Sequence, residues 1–177
     1  MTRNFPRIPF ERYADDVICH CKSAEEARAL WSVLADRFTT CKLVLHPEKT
    51  KIVYCKDANR RGDFPNQSFD FLGFTFRYDR DLFGSDKTYL NVTPSKKSLK
   101  KARDAIREET GAKKCYKPTP AVVKDVNTFL RGWSNYFKFG YPRKAFRNLS
   151  NYARKRMVTH LNRRSQRKYH RPQSQFR

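Results

Sequence analysis

Residues 9–22 read PFERYADDVICHCK, and the order of residue types within them decides the first half of the fold. Apolar and aromatic residues lead up to Tyr13, a polar tip follows at Ala14-Asp15-Asp16, and Val17, Ile18 and Cys19 lead away from it. That pattern predicts a hairpin of two short strands. Immediately after it, Ser23 and Glu26 have the spacing of a capping box, and Ala24, Ala27, Leu30, Trp31, Leu34, Ala35 and Phe38 repeat at helical spacing. Two further short strands are predicted at 42–45 and 50–55, around the turn His46-Pro47-Glu48-Lys49. Residues 57–67 form a polar loop, and 69–78 read as one Phe-rich strand in which Gly73 marks a bend or a close approach. The first half is therefore an antiparallel sheet with one helix packed on it, and the fold class is α+β.

After Tyr89 the pattern changes to helices. Thr93 with Pro94 predicts a cap and a first-turn proline, and Leu99, Ala102 and Ile106 mark a narrow apolar stripe in a charged helix that ends near Gly111. Thr119 with Pro120 opens a second helix with the stripe Val122, Val126, Phe129, Leu130, Trp133 and Phe137, stopped by Gly140. Pro142 opens a third, with Phe146, Leu149, Ala153, Met157 and Leu161 on one face. Three helices with short links predict a small bundle. The expected division is 1–88 for the sheet part, 89–164 for the bundle and 165–177 for a basic tail. The stretch from Arg163 onward lacks periodicity and is expected to be disordered without a partner.

Charge narrows the function. The 177 residues hold 39 Lys and Arg against 17 Asp and Glu, a formal net charge of +22. Every acid lies at or before Asp125, and the residues beyond it carry 14 cations. Such an excess repels itself unless phosphates or counterions sit against it. Aromatic residues make up 14% and occur in both halves, which favours nucleic acid over a membrane surface as the partner. No apolar run is long enough to span a membrane, and the N-terminal residues lack the apolar core of a secretory signal. Five cysteines in such a chain point to reduced thiols and a cytoplasmic location.

The pair Asp15-Asp16 is the sharpest chemical feature. Adjacent carboxylates repel unless a cation sits between them, and Mg²⁺ takes one or two carboxylates plus substrate phosphates. Strand alternation lets only one of two neighbouring side chains face a given ion, so a complete site needs another carboxylate from elsewhere. An Asp-Asp pair equally suits a solvated turn, and the residues alone leave both readings open. Cys19-His20-Cys21 tempts a metal reading, but alternation divides the two Cys from His20, and no second Cys/His pair at ligand spacing follows. Trp133 falls on the apolar stripe of its own helix and reads as core before base stacking.

The ordered series YADD, a capped helix, LVLHPEKTKIV at 43–53, FLGF at 71–74 and FLRGWSNYF at 129–137 resembles the group II intron reverse transcriptase/maturase family. The first three elements and FLGF look like its palm, and the last looks like its thumb or maturase-specific domain. The resemblance implies RNA-directed DNA synthesis and assisted splicing of intron RNA, with intron RNA and RNA/DNA template–primer as partners and no membrane. It makes Asp15 and Asp16 the paired palm aspartates, with Asp15 the preferred metal ligand. It places Tyr13 and Ala14 under the primer end or incoming nucleotide, and Lys49 near the leaving pyrophosphate. Leu72, Gly73 and Phe74 match the primer-grip segment. Arg131, Gly132, Trp133, Asn135 and Tyr136 match the RNA-binding thumb signature, and Lys124, Lys138, Arg163, Arg164, Arg167 and Lys168 extend the basic surface.

The sequence departs from that family in one respect. Met1 stands close to the YADD hairpin, which leaves no room for fingers or for the palm aspartate of an earlier strand. A fragment is therefore expected, with Mg²⁺ bound only in a complete polymerase site and possible association with a separate N-terminal portion. The alternatives are a standalone, non-enzymatic maturase-type RNA-binding module, or a decayed remnant with generic polyanion binding.

Overall fold

The computed structural model describes residues 5–56, 62, 64–80 and 88–164. Strands β1 (Phe10–Tyr13) and β2 (Asp16–Cys19) form the expected hairpin, paired Tyr13 to Asp16 and Phe10 to Cys19. The loop is only Ala14-Asp15, with Ala14 at φ 52°. A positive φ at the first loop position fits the right-handed strand twist, which is why so short a loop closes here. Helix α1 (Ala24–Thr40) follows. Ser23 Oγ accepts the Glu26 N–H at 3.1 Å, and the Glu26 carboxylate accepts the Lys22 N–H at 2.6 Å, so the capping box reaches one residue further out than usual.

The strands predicted at 42–45 and 50–55 are absent. The turn between them is present, with the His46 carbonyl accepting the N–H groups of Lys49 and Thr50, but neither flank finds a partner strand. Leu43 and Val44 stay exposed, and one bond from Tyr54 N–H to the Asn66 carbonyl ties the second flank down. Among the described residues no strand therefore bridges the hairpin to the Phe-rich segment, and the expected single sheet is two: β1-β2, and a three-stranded sheet in the order β3-β4-β5.

The Phe-rich segment is likewise a hairpin, not one strand. Strand β3 (Ser68–Phe71) turns through Leu72-Gly73 into β4 (Phe74–Arg80), with φ 50° and 81° at the two loop residues. The residues after 87, read as the approach to the bundle, form β5 (Thr88–Pro94), antiparallel to β4 with Phe76 opposite Val92. Part of the expected loop and of the expected boundary, residues 57–61, 63 and 81–87, lies outside the described residues.

Helices α2 (Lys96–Glu109), α3 (Thr119–Tyr136) and α4 (Arg143–Arg164) pack against one another as the expected bundle. Ser95, not Thr93, caps α2, because Thr93 and Pro94 are spent in β5. A short 3₁₀ turn at Ala112–Lys114 links α2 to α3. Ala102, Ile106, Val122, Val126, Leu149 and Ala153 form the buried core, flanked by Phe129, Leu130, Trp133, Tyr152 and Met157. Two polar residues are fully buried beside it, His160 and Thr110, with His160 Nδ1 3.3 Å from the Thr110 carbonyl. Helix α4 carries Arg163 and Arg164 within its last turn, and the tail beyond them, with Arg167 and Lys168, lies outside the described residues. No helix among the described residues is long and apolar enough to cross a membrane.

Two glycines give a sharp test of this packing. Gly140 has φ +73°, and an added Cβ would stand 2.2 Å from the Val92 carbonyl oxygen, whereas a Cβ on Gly132 would meet nothing within 4 Å. Gly140→Ala should lower the unfolding free energy by about 1–3 kcal/mol, and Gly132→Ala should raise it by roughly 0.5–1 kcal/mol. Urea denaturation followed by circular dichroism checks both, and an unaffected Gly140→Ala would mean that the α3–α4 link does not rest on β5.

Candidate nucleic-acid interface and carboxylate tip

Asp15 and Asp16 sit at the solvent-exposed end of the first hairpin, Asp15 within the turn and Asp16 as the first residue of β2. Arg12 Nε donates to the Ala14 carbonyl at 3.0 Å and so clamps the turn from its own strand. Tyr13 is 62% exposed, which leaves its ring available rather than packed. Among the described residues no group of three or more His, Cys, Asp or Glu could hold a metal ion. The tip therefore offers two oxygen donors, which suits one side of a Mg²⁺ shell whose other ligands are phosphates or water. Lys49 is exposed in the His46–Lys49 turn, and among the described residues no ion pair joins it to either aspartate.

The Leu72-Gly73 turn is the best-anchored feature of the sheet. The Gly73 carbonyl accepts the Ser95 N–H at 2.8 Å and the Ser98 hydroxyl at 2.9 Å, and the Leu72 carbonyl accepts the Tyr136 hydroxyl at 2.9 Å. Phe74 stacks on Tyr136 with 5.6 Å between centroids and leans on Phe137 at 4.8 Å. A Cβ on Gly73 would stand 2.9 Å from Ser98 Oγ. The glycine thus answers to α2 of its own chain as well as to its left-handed φ.

On α3, Lys124, Asn127, Thr128, Arg131, Asn135 and, just beyond it, Lys138 repeat at helical spacing and are all exposed. The stripe lies opposite the buried one that begins at Val122. Trp133 lies on the buried stripe, half-buried against the core. Its ring packs on Phe137 and Phe146 at 4.7 and 5.7 Å, and it also lines an open cleft of about 310 Å³ between α3 and α4, together with Arg131, Ser134 and Ser150. Arg156 is diverted inward, with Nε donating to the Thr110 hydroxyl at 3.2 Å, and Arg164 donates to the Lys117 carbonyl. Asp125, the last acid of the chain, meets the Lys117 ammonium at 2.9 Å, which holds its carboxyl below the usual carboxylate range. That acid is paired with Lys117 at a partly exposed position.

Two family models match the chain, one in each half. The family model for the reverse transcriptase (RNA-dependent DNA polymerase) matches residues 1–76, and the model for the group II intron, maturase-specific domain matches residues 99–176. The chain belongs to the group II intron reverse transcriptase/maturase family. No curated protein matches it. In family terms the reverse-transcriptase match ends at Phe76 in β4, just beyond the FLGF turn, and the maturase match begins at Leu99 in α2. Ser95 and Ser98, which hold that turn, fall between the two matches. Sequence reasoning missed this pair, although Ser at i and i+3 before an apolar stripe was a legible capping signal.

The thiols of this reverse transcriptase/maturase chain behave as structural groups. Burial first, and then the neighbouring Cys21, raises the Cys19 thiol, and burial followed by Glu26 raises that of Cys21. Both stay protonated at neutral pH. Iodoacetamide at pH 8 should therefore modify the exposed Cys41 and Cys55 several-fold faster than Cys19 and Cys21, as read by peptide mass mapping. Equal rates at all four would show that the first hairpin opens freely.

Proposed function

We propose that this chain is the RNA-holding part of a group II intron reverse transcriptase/maturase, and that its YADD hairpin supplies two carboxylates to a Mg²⁺-dependent nucleotidyl-transfer site. The observation that carries the reading is the exposed stripe Lys124–Arg131–Lys138 on α3, in a stretch where no acid follows Asp125. Phosphate backbones satisfy such a stripe, and release of condensed counterions drives the association. Arg131, Asn135 and Tyr136 would contact intron RNA or template–primer, with Trp133 at the edge of the cleft. Lys124, Lys138, Arg163, Arg164, Arg167 and Lys168 would extend the phosphate contacts. Residues 1–88 would serve as the palm part, 89–164 as the thumb or maturase part, and 165–177 as a basic extension.

At the hairpin, Asp15 and Asp16 would hold the metal, which when bound supplies charge neutralisation at the transferring phosphate. The exposed Tyr13 and the Ala14 backbone would face the primer end or incoming nucleotide. Lys49 would balance charge on the departing pyrophosphate. Leu72, Gly73 and Phe74 would carry the primer strand, supported from behind by Ser98 and Tyr136.

A second reading, a maturase-type module that binds intron RNA without copying it, is favoured by the lack of a third carboxylate near the tip among the described residues. Primer extension separates the two. Positioning and metal geometry supply most of phosphoryl-transfer catalysis, so this chain alone should incorporate no nucleotide with Mg²⁺ or Mn²⁺. Template-dependent extension that disappears in Asp15→Asn would instead show a complete site.

RNA binding should be steeply salt-dependent, each phosphate contact adding about 0.7 to the log–log slope on single strands and about 0.9 on duplex. Arg131→Ala and Lys138→Ala should each reduce the slope by about one contact, while Asp15→Asn leaves it unchanged. The measurement is a titration of a group II intron RNA and a length-matched control at several salt concentrations. Equal affinity for the two RNAs at physiological salt would leave only generic polyanion binding.

A further inference from the structure

The link between α3 and α4 carries a feature that the thumb signature does not include. Within six residues Tyr136, Phe139 and Tyr141 are 52%, 63% and 62% exposed, although aromatic rings normally dominate a core. They are not loose. The Tyr141 N–H donates to the Val92 carbonyl at 3.1 Å, and Gly140 passes so close to Val92 that no Cβ would fit. The Tyr136 hydroxyl is fixed on Leu72, and the Tyr141 ring meets Tyr89 edge-on at 5.0 Å. Phe139 is the most exposed of the three and has no polar atom of its own to satisfy. Its only ring partner among the described residues is the Lys138 ammonium, 5.8 Å from the centroid.

The charge around these rings selects the occupant. Lys138 precedes Phe139, and Arg143 and Lys144 open α4 two residues after Tyr141, all of them exposed. The acid on the strand beside β5, Asp79, is opposite Tyr89 but already receives Arg77 and Asn91 at 2.9 and 2.6 Å. Exposed aromatic faces between uncompensated cations match a strand whose bases are unpaired and whose phosphates run alongside, since every base has a π-face and stacking needs no particular sequence. A paired helix hides those faces within its own stack.

We propose that Phe139 and Tyr141 form a stacking platform for unpaired bases of RNA, with Lys138, Arg143 and Lys144 taking the adjoining phosphates. This rests on the RNA reading above and adds to it a site, at the α3–α4 link, for single-stranded segments.

The test uses the full chain and unstructured RNA oligonucleotides carrying 2-aminopurine, with an RNA duplex of equal length, a DNA strand of the same sequence and anionic phosphatidylserine vesicles as further arms. Binding by the unaltered chain should quench the 2-aminopurine fluorescence. Phe139→Ala and Tyr141→Ala should each weaken single-strand binding about 10-fold, reduce the quenching and leave the salt slope and the duplex affinity unchanged. Phe139→Trp should restore or exceed the original affinity, which a merely structural role would not predict. Unchanged single-strand affinity and quenching in both alanine variants would overturn the platform and leave the RNA reading standing. Equal losses on duplex and single strand would overturn it as well. Tighter binding of the DNA strand, or variants that lose vesicle binding alone, would assign the rings to DNA or to a membrane surface instead. No RNA binding by the unaltered chain, even at low salt, would remove both this proposal and the one it rests on.

Discussion

The Gly73 carbonyl carries two of the hydrogen bonds that join the β3–β5 sheet to the bundle. The Gly73 oxygen takes the Ser95 N–H and the Ser98 hydroxyl, while Ser95 Oγ caps α2 by accepting the Ser98 N–H at 3.1 Å. The same two serines therefore start the bundle and seat the turn of the sheet upon it. The turn needs that support, because Leu72 is a bulky residue held at φ 50°. A left-handed L-residue costs roughly 1–2 kcal/mol, and each of the three hydrogen bonds to the turn returns about 1 kcal/mol net. Ring contacts of Phe74 with Tyr136 and Phe137 add to the favourable side. The strained conformation persists because two helices hold it.

This anchor also sets the better-packed part of the chain apart from the rest. Among the described residues, β3–β5 and α2–α4 form a continuous body through the turn, through Tyr141 on β5 and through the bundle core. In the part that holds the YADD hairpin and α1, Ile8 and Leu30 are the buried apolar residues, and among the described residues neither element packs extensively on the others. The RNA-facing residues proposed here thus ride on the better-packed body. The carboxylates ride on the lesser one, where a third ligand and further packing would have to come from outside the described residues.

Much of this was legible in the sequence, and the failures have physical causes. The first hairpin, α1 and the three-helix bundle follow from a polar tip, a capping box and stripes at helical spacing. The strands at 42–55 failed because Leu43-Val44-Leu45 and Ile52-Val53 are consecutive apolar residues without alternation, which cannot choose a face without a partner. The Phe-rich segment carried its correct reading unread. Phe69 and Phe71 are two apart, as are Phe74 and Phe76, but Phe71 and Phe74 are three apart. In one strand that break throws the second pair onto the opposite face. Across a two-residue turn it keeps all four on one face, as the pairing of Phe69 with Phe76 and Phe71 with Phe74 requires. The family resemblance was legible from ordered motifs alone. The two serines and the exposed link rings were not, because what matters about them is where other elements lie.

The electrostatics follow the same division. Acids of the bundle cluster at its α2–α3 end, where Glu109 and Asp125 share Lys114 and Lys117 at 2.9 to 3.7 Å. Those pairs are partly exposed and contribute little to stability, but they remove the acids from play. What is left on α3, the link and α4 is a one-signed surface that opposes compaction by self-repulsion. The core beneath it is small, with Ala102 and Ala153 among its six buried apolar members. A bundle with so modest a core and so uniform a charge gains stability from whatever neutralises that surface, since a ligand that binds only the folded state adds RT ln(1 + [L]/Kd) to it. The placement of its acids would therefore couple the binding of any polyanion at this surface to folding.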